Sequence, residues 1–230
     1  MRVDWRTRRI AVAIAAPLFV VAVVLTSPTP ANAHCPGTAA NDKALGSQGL
    51  SFYVNGVTSA IGWTQGNVCT SGVSHSISVC SSGSCSHWAQ AGWRYYSGYS
   101  GPRMYCEWAG GTYKLIEFSL SPGDHTYQQR FDSSGSEWDC LQDSSIKFSW
   151  PLASAGFTIG TYVVGQGENH QAHVQIGRVA PNKLPFWNMQ YRKTSTGAWT
   201  TMNIVPRVTG GPYGADEPGV GQLRVWTNAH

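Results

Sequence analysis

The sequence predicts an all-β fold: a two-sheet antiparallel β-sandwich of the jelly-roll or concanavalin-like kind, with little helix. Three observations predict it. Short runs rich in Val, Ile, Tyr, Phe, Trp and Thr recur along the chain, and some, such as VSHSISVC, alternate with period two. Turn sequences such as SPGD, STG, GG and EPG punctuate them. No long stretch carries the spacing of an amphipathic helix.

Taken in order, residues 1–33 are set apart from the rest. MRVDWRTRR is basic, IAVAIAAPLFVVAVVL is apolar, and TSPTPANA ends in the small-residue pattern Ala31-Asn32-Ala33. This is the layout of a secretory signal peptide cleaved after Ala33. The apolar run is short for a membrane anchor, and no second such run follows. A single secreted domain is therefore expected over 34–230, a length that suits one domain.

Residues 34–48 read as an irregular lead-in. Strands are then expected at 50–56, 73–80, 87–96, 102–108, 114–120, 125–131, 146–150, 157–165, 172–179, 186–192, 200–206 and 221–227. PLASA within 150–156 suits a short helical turn. A dozen short strands with frequent turns call for two packed antiparallel sheets.

Charge narrows the partners. The leader holds four of the chain's 16 basic residues and one of its 12 acidic ones. What remains is nearly neutral and lacks the basic face a nucleic acid needs. All six cysteines, Cys35, Cys69, Cys80, Cys85, Cys106 and Cys140, follow the leader. An even count in an exported chain predicts disulfides, with fifteen pairings open. Cys80 with Cys85 would close a small loop, and Cys106 with Cys140 would tie neighbouring strands. The cysteines and histidines lack the paired spacing of a zinc site, so no metal or other cofactor is expected. His-x-x-His at 170 and 173 would put the two rings on opposite faces of a strand.

Two polar residues stand out among aromatics. In WAQAGW, a strand puts Trp88, Gln90 and Gly92 on one face. In MYCEW, Tyr105 and Glu107 share a face, while Cys106 and Trp108 share the other. A buried amide or carboxylate is costly unless something satisfies it, so each is either a structural hydrogen-bonding group or part of a site. For Glu107 the structural reading is an ion pair with Arg94 or Arg103. A third candidate, Glu168 in GQGENHQ, follows an apolar strand at a Gly-rich break where a substrate could come close. Ser-His-Asp chemistry finds no GxSxG. GGPYGADEPGVG follows no βα pattern, which leaves Asp216 and Glu217 as loop acids.

QAGW, then MYCEW, then LSPGD, then an apolar strand ending in Glu168 resembles, in order and rough spacing, the glutamic peptidases. The likeness runs over about residues 88–170. QAGW is also similar to a motif of the neprosin branch. The resemblance implies a β-sandwich with its site on one sheet, and an acid-active endopeptidase that uses a Gln/Glu dyad. Carried onto this chain, the eqolisin layout makes Gln90 and Glu168 catalytic, with Trp88, Tyr105, Glu107 and Trp108 along the substrate groove. The sequence departs from the family around Glu168, where the Ala-Glu-Trp-Ile pattern is missing; Glu107 and Glu117 are the alternative carboxylates. The partner would be a polypeptide substrate, and the protein a monomer. The rival reading is a carbohydrate-binding, lectin-like sandwich with a line of exposed Trp or Tyr and a glycan as partner.

Overall fold

The computed structural model describes residues 41–63, 72–96, 98–170, 176–179 and 182–228. The leader with its cleavage site, Cys35, Cys69 and His173 lie outside them. Fifteen strands and one helical turn are present among the described residues.

The longest strand, β1 (Lys43–Ile61), belongs to both layers of the fold. Its first part, Lys43–Gly49, pairs with β9 (Gly160–Asn169), and Ala44–Ser47 also pairs with β13 (Val205–Val208). After an irregularity between Gly49 and Val54, the strand pairs with β6 (His125–Asp132) and β11 (Leu184–Lys193). A strand that changes sheets at such a break is the usual way to make a sandwich corner.

The first layer continues from β9 through β2 (Val73–Cys80), β3 (Trp88–Tyr95), β4 (Arg103–Ala109) and β5 (Lys114–Ser119). In the second, β6 is followed by β7 (Glu137–Gln142) and β8 (Ser145–Pro151), after which comes the turn α1 (Leu152–Ala155). On its other side β11 pairs with β12 (Trp199–Thr201) and β15 (Leu223–Thr227), which also carries β14 (Tyr213–Asp216) and the short parallel β10 (Arg178–Val179). All the other described pairs are antiparallel.

Alternation explains the core. Ile77, Val79, Ala89, Ala91, Trp93, Met104, Cys106 and Trp108 turn inward from the first layer, and Tyr127, Phe131, Trp138 and Cys140 meet them from the second. The buried indoles of Trp93 and Trp138 donate to the carbonyls of Gly62 and Phe157, at 3.0 and 2.7 Å. The Cys106–Cys140 disulfide joins β4 to β7, which belong to opposite layers. It is an inter-sheet staple and not the link between neighbouring strands that the sequence suggested. Cys80–Cys85 closes the small loop after β2.

Several expectations need correction. The lead-in is already strand from Lys43. Glu137–Gln142 forms a strand that apolar patterning did not mark, and Tyr213–Asp216 is a strand within the Gly-rich stretch. Residues 157–159 are not strand, and 200–206 is split between β12 and β13.

Candidate active site

The outer face of the first layer carries the polar residues. Ser74, Ser76 and Ser78 of β2 point there, and yet all of β2 is buried. Polar side chains that face away from the core but stay covered mark the floor of a cleft. Next to this floor lies a cavity of about 430 Å³, bordered by Trp88, Gln90, Glu107, Gln166, Glu168 and the Cys80–Cys85 loop.

Cross-strand register sets the geometry. Gln90 lies directly opposite Ser78 on one side and Glu107 on the other. The Ser78 hydroxyl donates to Gln90 Oε1 at 3.1 Å, which turns Nε2 toward β4. There Nε2 donates to Glu107 Oε2 and, more weakly, to the Tyr105 hydroxyl at 3.4 Å. From the opposite layer, buried Gln129 donates to the Gln90 carbonyl at 2.8 Å and fixes the backbone. Gln90 is only 9 % exposed, so its amide is held by neighbours and not by bulk water. Gly92, two residues on, leaves no space for a side chain: a Cβ there would lie 1.9 Å from the His75 carbonyl oxygen.

Glu168 comes from β9, opposite Lys43 of β1 and Ser74 of β2. It forms an ion pair with Lys43 Nζ at 3.2 Å and accepts from Gln166 Nε2 at 3.1 Å. In register it is two strands from Gln90 and four residues along. Strand spacing and rise put the two Cα atoms roughly 16 Å apart. Both side chains line the same cavity.

Burial raises the Glu107 carboxyl above the ordinary carboxylate range, and nearby Glu168 pushes it the same way; hydrogen bonds from Tyr113 and Gln90 and the charge of Arg94 only partly offset this. His170, also lining the cavity, accepts or donates at Nε2 with Ser74 Oγ, 2.8 Å away, and burial lowers its pKa.

The structure therefore brings Gln90 and Glu107 into contact and sets Trp88 and Glu168 around the same cavity. Tyr105 lies beneath, fully buried, with its hydroxyl under the Gln90 amide. Trp108 does not join them. It is 0 % exposed on the inner face and packs against Phe148 and Trp150. Glu117 is held by Arg94 and the Tyr99 hydroxyl, and Arg103 donates to Ser119, so neither arginine forms an ion pair with Glu107. Asp216 is a strand residue paired to Lys183 and Arg224 rather than a loop acid.

Sequence reasoning missed Lys43, Ser78, Gln166 and Tyr113. The period-two rule could have found two of them: Gln166 stands two residues before Glu168, and Ser78 belongs to the alternating serines of β2.

The chain has a glutamic-peptidase-like fold, an eqolisin-type β-sandwich. Two structures of scytalidoglutamic peptidase, with a peptide-based transition-state analogue and with a transition-state analogue inhibitor, superpose with TM-scores of 0.58 and 0.59 at 10 % and 12 % identity. They cover 81 % and 83 % of this chain, and 98 % and 99 % of theirs. SCP-B, an eqolisin-family peptidase in complex with the tripeptide Ala-Ile-His, gives 0.53 at 10 % identity over 81 % of this chain and 98 % of its own. At such identities the likeness is one of fold. No protein-family model matches the sequence, and no curated protein matches it significantly.

Proposed function

We propose that the protein is a secreted, acid-active endopeptidase that hydrolyses peptide bonds in this cleft. The observation that carries the reading is the shared cavity: an oriented amide donor, Gln90, and two carboxylates, Glu107 and Glu168, meet at its walls. Peptide hydrolysis needs a base for water and a donor for the developing oxyanion. Glu168 is the base, its carboxylate fixed by Lys43 and Gln166. Gln90 Nε2 donates to the oxyanion without titrating, and Ser78 fixes which way it points. Trp88 walls the groove beside it. Export suits a chain with two disulfides among the described residues, none of whose described helices is long and apolar enough to cross a membrane.

The carbohydrate-binding alternative calls for a line of exposed Trp or Tyr. None of the described tryptophans is exposed, Trp93, Trp108 and Trp138 are core, and the exposed tyrosines among the described residues are two, Tyr53 on β1 and Tyr113 in the turn before β5. The aromatic richness that suggested sugar stacking goes largely into packing.

The test is digestion of denatured casein by the purified protein across about pH 3 to 7, beside Glu168→Gln and Gln90→Ala. Cleavage in mild acid that falls by about 10²-fold or more in each variant supports the reading. A folded wild-type protein that leaves casein intact overturns it.

A further inference from the structure

We infer that Glu107 is a second catalytic carboxylate, the proton donor to the departing amine; the inference rests on the peptidase reading. An amine leaves a tetrahedral intermediate poorly unless its nitrogen is protonated. A single carboxylate serving as base and acid must first face the water and then the nitrogen. This cleft holds two carboxylates, and they flank the oxyanion donor from opposite sides. Glu107 adjoins Gln90 from β4, whereas Glu168 approaches across β2 from β9. A scissile oxygen resting on Gln90 Nε2 therefore has Glu107 for its immediate neighbour and Glu168 across the cavity.

The two acids also differ in what holds them. Glu168 is bound by a lysine and by an amide, as an anion requires. Among the described residues Glu107 has no ion pair: Arg94 is tied to Glu117, and the hydrogen-bonding groups that touch it are Gln90 and Tyr113. The charged and titratable groups that face it are Glu168 from β9, Arg94 from β3, Tyr96 just after β3, Tyr105 from its own strand and Tyr113 from the turn before β5; the residue opposite it on β5 is Leu115. Burial and Glu168 together favour its neutral form. Its Oε2 accepts from Gln90. Environments that hold one acid neutral beside one that is paired assign proton donor and base.

The step balances. Glu168 takes a proton from water while the water oxygen bonds to the carbonyl carbon. The carbonyl π pair moves onto oxygen, where Gln90 holds it. Collapse breaks the C–N bond as Glu107 gives its proton to nitrogen. The products are a carboxylic acid and an amine, and transfer of the proton on Glu168 back to Glu107 through solvent restores the starting state.

The experiment compares wild type, Glu107→Gln and Glu168→Gln on one peptide and on the matching aryl ester, whose phenolate leaves without protonation. Glu107→Gln should lose about 10²–10⁴-fold in kcat/KM on the peptide and less than about tenfold on the ester, while Glu168→Gln loses both. The retained ester activity reports that Glu107→Gln is folded. Equal losses on the two substrates, or peptide cleavage that survives Glu107→Gln, would overturn the proton-donor role. A wild type that cleaves the ester but no peptide would instead overturn the peptidase reading beneath it.

Discussion

At the scale of single residues, one buried histidine ties the stability of this protein to pH. His75 is fully buried and stacks on Trp93 with ring centroids 4.3 Å apart. Its Nε2 accepts from the Gly177 amide at 3.0 Å, so the ring proton is on Nδ1. Burial, with a smaller contribution from His170, lowers its pKa to about 3. For a base whose folded pKa is depressed, the unfolded chain takes up protons first as pH falls. Stability is therefore whole above about pH 6.5 and is lost between 6.5 and 3, by up to about 1.4 kcal/mol per pH unit. The melting temperature should fall steadily from pH 7 to pH 4. His75→Gln keeps an acceptor for Gly177 without titrating, so it should melt lower at pH 7 but with a flatter pH slope. Parallel slopes in the two proteins would remove His75 as the cause. On the proposed mechanism Glu107 favours acid and His75 opposes it, so activity is expected to peak in mild acid.

At this scale the sequence was most legible where alternation governs. The faces of Gln90, Tyr105, Glu107 and Trp108 follow from strand geometry and match the register. Contacts with Lys43 and Tyr113 were hidden, since each reaches its carboxylate through a distant pairing or a turn.

At the scale of elements, the strands that were missed share a cause. Glu137–Gln142 carries Glu and Asp, which strands disfavour, and its buried Asp139 is bonded by Arg130 and Ser149 from the flanking strands. The start of β1, KALGSQG, has two glycines and little apolar content. It is strand because β9 and β13 flank it, and no local pattern announces partners more than a hundred residues away. The same logic gives the Cys106–Cys140 staple its weight. It closes a loop of sequence separation 34 and anchors β4, the strand that holds Glu107. Replacing both cysteines by serine should cost about 3–4 kcal/mol and lower the melting temperature by roughly 10 °C. Calorimetry of the double variant checks this; an unchanged transition would show that packing alone holds the layers together.

At the scale of the whole molecule, the two layers divide the work. The second layer and the inner face of the first bury most of the aromatic side chains, and this leaves the outer face of the first free to carry serines, amides and carboxylates. Gln129 links the two, reaching from β6 to the backbone of Gln90. A sandwich fold by itself does not fix chemistry. This one carries an oriented amide between two acids on a covered polar floor, and in the proposed mechanism these three groups act on one tetrahedral centre. A phosphinic peptide analogue carries such a centre without being cleaved. Its dissociation constant at mildly acidic pH, measured for wild type, Gln90→Ala and Glu168→Gln, is the most direct test, since a catalytic site binds the transition-state shape most tightly. Saturable binding to wild type is expected, weakened about 10²-fold by loss of the Gln90 donor and also weakened by loss of the Glu168 carboxylate. No binding to the folded wild type, or equal affinity in all three proteins, would contradict it.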